Sequence, residues 1–355
     1  MEVYWLWLSL IKGIGPITAK RLLQHYKDAY SIYNATKDEL ENMNILNKKQ
    51  LQELITSKSL KNAQNIISDC KIKGINILTY SDELYKERAK ICSKSPIVLF
   101  YKGFISKGNL SVGIVGARRC TDYGKKVAVH TAEYLAQNGV TVISGMAKGI
   151  DSYAHTACLK NGGYTLAFLG SGVDICYPAE HSVLMKRIIE NGAVISQFLP
   201  STKPIQSNFI NRNYLLSAWC EKLLVVEGTE KSGALTTAKF AKENEAEVYA
   251  VPNNIYAQES KGTNKLIAEG AKIYLTPNQL VVKKNYVNIN ICQDINSDKL
   301  SSLQNRILKL LKNKSKNLEE IIISIKEKKE VIIEELSIME VEGMIEWTPQ
   351  GLRIL

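Results

Sequence analysis

Ser111-Val112-Gly113-Ile114-Val115-Gly116-Ala117-Arg118-Arg119-Cys120-Thr121-Asp122-Tyr123-Gly124 carries a β-type run into a glycine, then a cationic loop, then a helix start. Runs of the same kind recur at 140–145, 164–170, 193–198, 222–228, 247–252 and 272–276. Most are Val-, Ile- and Leu-rich without strict alternation, as strands covered on both faces require. Helix-length segments, among them 123–138, 151–161, 180–191 and 233–244, separate them. Such strand–helix–strand repetition predicts an α/β fold, a Rossmann-like doubly wound, mostly parallel sheet. Ligands on such sheets bind at the carboxyl ends of the strands, where the glycine-rich loops fall.

The flanks read differently, and the chain divides into four parts. Residues 1–80 read as short helices, and Leu10 to Pro16, followed by Ala19, Leu22 and Leu23, resembles one helix-hairpin-helix (SAM-like) unit. Residues 39–55 read as a degenerate second copy. The Gly13-Ile14-Gly15 turn can free backbone N–H groups for a phosphate, or join two helices by packing alone. The α/β core spans 81–276, and the polar stretch 277–300 reads as a linker. Residues 301–355 show three helical patterns, set by Leu303, Ile307, Leu310 and Leu311, then Leu318, Ile321, Ile322 and Ile325, then Val331, Ile332, Leu336, Met339 and Val341. A β-wing-like ending completes a winged-helix pattern. Its third helix ends acidic, at Glu334, Glu335, Glu340 and Glu342, which favours protein contact or regulation over reading a duplex.

With 45% apolar and 23% charged residues among 355, the chain has globular composition and length for two or three domains. The net charge of +11 resides almost wholly in the first two parts, and 297–355 is neutral, so a polyanionic partner belongs to the former. No stretch is long enough to cross a bilayer, and the apolar start lacks the leader and cleavage site of a signal peptide. Seven scattered cysteines without a C-x-x-C pair fit the reduced thiols of a cytoplasmic protein, with neither disulfide framework nor metal. The four histidines lie apart, without ligand or triad spacing.

Four loops carry the chemistry. Gly116, Arg118 and Thr121 combine helix N–H groups, a guanidinium and a hydroxyl, which together suit a phosphate. The glycine spacing is wrong for a dinucleotide fingerprint, and no acid follows the second strand to hold a ribose. Gly145, Lys148 and Gly149 form a second cationic turn, with Asp151 as the expected N-cap. Lys231, Ser232, Gly233 and Thr236 form a third phosphate-cradling entrance, without the Walker A pattern that ATP hydrolysis needs. Phe209, Arg212 and Asn213 add a ring for base stacking and a planar fork.

Taken in order, GIVGAR…YG, SGMAKGIDSYAH, GSGVDICYP, Arg212-Asn213, VVEG…KSGALTTA and AVPNN…KGTNKLI..GA span 111–271 and resemble the DNA-processing protein A (DprA/Smf) family. The resemblance implies a Rossmann-like core, single-stranded DNA as ligand, a homodimer, and loading of the RecA recombinase during natural transformation or a related recombination task. It places Arg118, Thr121, Lys148, Gly149, Arg212, Asn213, Lys231 and Ser232 against the DNA. Ala117, Lys148, Ile210, Asn211, Tyr214, His181, Gln197 and Asn253 depart from the family pattern, and the losses of a hydroxyl, a proline and several arginines bear on DNA affinity. The expected mechanism is binding without chemistry and without a cofactor. The rival is a nucleotide phosphoribohydrolase-like enzyme on the same fold, but KSGALTTAKFA lacks that enzyme's doubled glycine and following acid. Asp151 and Glu227 are the only carboxylates a catalyst could use, and each has a simpler structural role. A winged-helix transcription regulator is the third possibility, opposed by the neutral charge of the last part.

Overall fold

The computed structural model describes residues 1–108, 110–281, 302–312, 315–325, 327, 329–341, 344–348 and 351–354. Six helices come first: α1 (Glu2–Leu10), α2 (Pro16–His25), α3 (Ala29–Asn34), α4 (Lys37–Asn42), α5 (Lys48–Thr56) and α6 (Lys61–Ile72). Local chemistry fixes their ends. Pro16 opens α2, and capping boxes at Thr36/Glu39 and Asn47/Gln50 start α4 and α5 by satisfying N–H groups the helix cannot.

Next come β1 (Asn76–Thr79), α7 (Glu87–Ile91) and β2 (Val98–Gly103), then the alternating core. That core runs β3 (Ser111–Val115), α8 (Asp122–Gln137), β4 (Thr141–Ser144), α9 (Ile150–Lys160), β5 (Thr165–Phe168), α10 (Ser182–Glu190) and β6 (Gly192–Ser196). It continues through α11 (Gln206–Trp219), β7 (Lys222–Val225), α12 (Gly233–Glu243), β8 (Glu247–Ala250), α13 (Lys261–Ala268), β9 (Lys272–Ile273) and α14 (Asn278–Val281). All seven predicted strands are present, in one sheet of order β1-β2-β6-β5-β4-β3-β7-β8-β9. The pairings from β6 to β9 are parallel; β1 and β2 form an antiparallel edge that the sequence reading did not anticipate. The sheet therefore begins at Asn76, inside the stretch read as helical.

Strands covered on both faces explain the missing alternation. In β5, Leu166 and Phe168 pack with α11 residues such as Leu215 and Trp219, whereas Ala167 packs with Met185 and Ile188 of α10. In β3, Val112 and Ile114 pack with Ala128 and Leu135 of α8. The N-terminal helices share a core with Val98 and Phe100 of β2 and Val194 of β6, and Met1–Lys283 forms one compact unit.

From β3 the chain steps outward through β4, β5 and β6, then returns by α11 to set β7 on the other side of β3. This reversal opens a crevice at the carboxyl ends of β3 and β7, the place where doubly wound sheets take ligands.

The second unit, Lys284–Leu355, holds α15 (Ser302–Leu311), α16 (Leu318–Ile325), α17 (Lys329–Val341) and the hairpin β10 (Ile345–Thr348) and β11 (Gly351–Ile354). Its core includes Ile307, Leu311, Ile321, Ile325, Ile332, Leu336 and Leu352. Of the predicted linker, 277–281 includes α14 and 282–300 lies outside the described residues.

Candidate nucleic-acid interface

The loops at the crevice are tied to one another by buried polar groups. Thr121 caps α8, accepting from the Gly124 N–H at 3.2 Å. Its hydroxyl and its N–H (2.9 Å) both donate to the carboxylate of Glu227, which is fully buried at the end of β7. The hydroxyl expected to meet a phosphate thus holds two loops together, and Glu227 is the group that fastens them.

In the next loop Gly149, not Asp151, caps α9, and its φ of 77° is strained for any other residue. A Cβ there would sit 2.3 Å from the Ala117 carbonyl, so this turn lies directly against the β3–α8 loop. Asp151 lies one residue inside α9 and reaches back, accepting from the N–H groups of Gly145 (3.1 Å) and Ala147 (3.4 Å). Burial pushes its carboxyl up from the ordinary range, opposed by the charge of Arg212 and by these N–H groups.

Arg212 is buried, with 6% of its surface exposed. Its Nη1 donates to the carbonyls of Gly145 and Phe168 (2.8 Å), at the ends of β4 and β5. Its Nε donates to Asn213 Oδ1 at 3.0 Å, and Asn213 Nδ2 donates onward to the Gly233 carbonyl at 3.4 Å. A Cβ on Gly145 would overlap the guanidinium, so only glycine admits it. The planar fork spans β4, β5 and, through Asn213, the start of α12; Lys has no fork to do this. Burial lowers the Arg212 pKa, and Asp151 counters that.

Outside this buried frame lies an open rim. A cavity of about 350 Å³ occupies the crevice, lined by Gly116, Arg118, Arg119, Arg212, Asn213, Ser232 and Gly233 among others. Ser232 caps α12, whose first turn opens on the cavity and brings the positive end of a helix dipole. Beside it a smaller hollow of about 60 Å³ is lined by Gly145, Lys148, Tyr177 and Phe209, with Arg118 and Arg212 common to both. Phe209 rests on Gly170, and the Tyr177 ring stands 5.4 Å from it. The guanidinium groups of Arg118 and Arg212 lie 6.0 and 5.8 Å from the Phe209 centroid. Lys148 is paired with Glu180 at the surface. Exposed cations, two rings and a helix N-terminus at one edge form a surface suited to phosphates and bases.

The family is decided by the core. Residues 76–285, starting where β1 starts, match the model of DNA recombination-mediator protein A. The chain belongs to that family. Protein Smf of Synechocystis is 34% identical over 285 residues, covering 79% of this chain and 72% of its own. DNA processing protein A of Streptococcus pneumoniae superposes with a TM-score of 0.68 at 27% identity, over 79% of this chain and 96% of that one. DNA processing protein A of Helicobacter pylori, solved for its single-stranded DNA binding mode, gives 0.53 at 26% identity, over 58% and 94%.

Within this DprA/Smf core, the structure brings Gly116, Arg118, Gly145, Lys148, Phe209, Arg212, Asn213, Ser232 and Gly233 to the two adjoining cavities. Thr121, Gly149, Lys231 and Thr236 line neither: Thr121 and Gly149 hold loops, Lys231 is exposed nearby, and Thr236 is half-buried on α12. Tyr214, which the resemblance sets where the family carries an arginine, is a core residue packed on Phe240 at 5.4 Å. Sequence reasoning missed Tyr177 and Arg119. The signal for Tyr177 was the Tyr177-Pro178 pair closing a glycine-rich loop at a strand's carboxyl end, the edge where such sheets take ligands.

Proposed function

We propose that this chain binds single-stranded DNA across the carboxyl ends of β5, β4, β3 and β7, without chemistry on it. In this reading it acts in the cytoplasm as a homodimer that passes the strand to a RecA recombinase, in natural transformation or a related recombination task. The observation that carries the reading is the rim cluster of Arg118, Phe209 and Tyr177 beside the α12 N-terminus. Arg118 and the helix end take phosphates, and the rings take bases, which only an unpaired strand can present. The single-stranded DNA binding named for the Helicobacter pylori structure and membership of the same family support this. The dimer and RecA rest on family membership alone. Residues 301–355, read as a winged helix with balanced charge, serve protein contact or regulation.

A nucleotide hydrolase needs a carboxylate free to act on a ligand. Glu227 is fully buried with both oxygens taken by Thr121, and Asp151 is buried against two N–H groups. Neither geometry favours that alternative.

The test is fluorescence anisotropy with labelled single- and double-stranded oligonucleotides of equal length across a salt series, with Arg118→Ala alongside. Tighter single-strand binding that weakens with salt and in the variant is expected. Equal binding of both forms at matched salt would refute it, and release of free base from nucleoside monophosphates would instead favour the enzyme.

A further inference from the structure

We propose that Tyr256 forms a second stacking station that carries the DNA strand past β7 to the end of β8. This rests on the single-strand reading above and extends its path. Tyr256 is 85% exposed and its neighbour Ile255 is 70% exposed, in the loop that follows β8. Two neighbouring large side chains this open to water offer a candidate contact surface.

The loop that presents them is held in place. The Asn254 side chain accepts from the Tyr256 N–H at 2.9 Å, and the Asn254 carbonyl accepts from the Ala257 N–H at 3.1 Å. Gly228, at the end of β7, donates to the Glu259 carbonyl at 2.7 Å and accepts from the Gly262 N–H at 2.8 Å. From the other side the Tyr123 hydroxyl donates to the Pro252 carbonyl at 3.2 Å, while the residue stays 45% exposed. Tyr256 is therefore an exposed ring on a braced loop, at the same strand-end edge as the rim cluster. Holding a ring in place before binding removes part of the entropy that ordering it would cost.

Charge and spacing name the occupant. The exposed cations Arg119 and Lys231 lie on the loops after β3 and β7, between the two aromatic stations, which favours a polyanion over an apolar protein face. Tyr177 follows β5 and Tyr256 follows β8, four strand positions apart. At about 4.8 Å per strand that is roughly 19 Å, the reach of about six nucleotides at a stacked rise of about 3.4 Å. A strand of three or four nucleotides fills the first station; only a longer one meets the second.

The experiment measures the affinity of the full chain for oligothymidylates of 4, 8, 12 and 20 nucleotides, for wild type, Tyr256→Ala, Tyr256→Phe and Phe209→Ala. Tyr256→Ala is expected to weaken the 12- and 20-mers at least about fivefold, the weak end of what one base–aromatic stack is worth. It should leave the 4-mer unchanged, Tyr256→Phe should bind like wild type, and Phe209→Ala should weaken every length. If Tyr256→Ala matches wild type at all lengths while Phe209→Ala does not, the second station is overturned and the single-strand reading stands. If wild type binds no oligonucleotide, both fall together.

Discussion

Replacing Arg212 with Ala tests whether its guanidinium is a DNA contact or a strut. In the structure it is a strut with one face near the rim: 6% exposed, bonded to two strand-end carbonyls and to Asn213, and electrostatically coupled to Asp151. Truncation removes the nearby charge that offsets the burial of Asp151, with which Arg212 makes no direct ion pair, and each buried polar group left unsatisfied costs about 1–3 kcal/mol. Two carbonyls at the ends of β4 and β5 also lose their donor. The penalty carries a pH signature. Asp151 already has a raised pKa, and without Arg212 it rises further. A raised carboxyl pKa gives stability that is present at low pH and lost as pH climbs through the folded value. Loss of the Arg212 charge also eases protonation of nearby His155, which acts in the same direction. Urea denaturation of wild type and Arg212→Ala should therefore show a gap of about 2–5 kcal/mol at pH 8 that narrows at pH 5.5. Anisotropy at a temperature where both are folded then separates lost binding from lost fold. A gap below about 1 kcal/mol, the worth of a surface pair, or one independent of pH, would refute the buried strut.

At the rim, Lys148 is paired with Glu180 while both side chains remain more than half exposed. Such a pair is worth at most about 1 kcal/mol, so Glu180→Gln should free Lys148 and raise single-strand affinity up to about fivefold at low salt; a decrease would place Glu180 in the fold instead. Phe209→Ala should weaken single-strand binding by about 1–3 kcal/mol while duplex binding changes little, read by competition anisotropy. Burial holds His155 neutral, its pKa pushed down to about 3. The unfolded chain takes up that proton near pH 6.5, so stability is full above this pH and falls as pH drops toward 3; from pH 7 to 5 the loss is about 2 kcal/mol, and His155→Gln should flatten it in urea midpoints.

The strands of the core were legible because each is short, apolar and ended by a glycine loop, as Ser111–Gly116 shows. The edge strands β1 and β2 were not, although Ile97 to Tyr101 is apolar enough, because no helix-length segment and glycine turn follow to mark a parallel unit. α11 was read only as a polar approach to a helix. Its first turns expose Gln206, Ser207 and Asn211, but the whole run Tyr214–Trp219 is buried, so the second half has no polar face to reveal a period. That burial also hid the role of Arg212: an arginine beside glycine loops reads as a ligand group until the helix that carries it is seen to pack across the ends of β4 and β5. Partners distant in sequence were equally invisible. Nothing in the local pattern joins Thr121 to Glu227, 106 positions away, or Lys148 to Glu180.

The division of cations between frame and rim bears on how such a site can hold DNA and still release it. Buried and braced, Arg212 spends Nε and Nη1 on the protein, so what it has left for a ligand in the cavities it lines is Nη2 and the field of a charge partly offset by Asp151. Arg118, Arg119 and Lys231 are exposed and keep their hydration until a phosphate arrives, and Lys148, equally exposed, has first to leave Glu180. Four exposed contacts on a single strand correspond to a salt slope of roughly −3, a drop of about fifty-fold between 50 and 200 mM. Affinity of that kind is built from separable steps along the strand, each worth little alone. Under the proposed function, a recombinase would then displace the protein one phosphate at a time, whereas a site built on buried ion pairs would have to give up all its contacts at once.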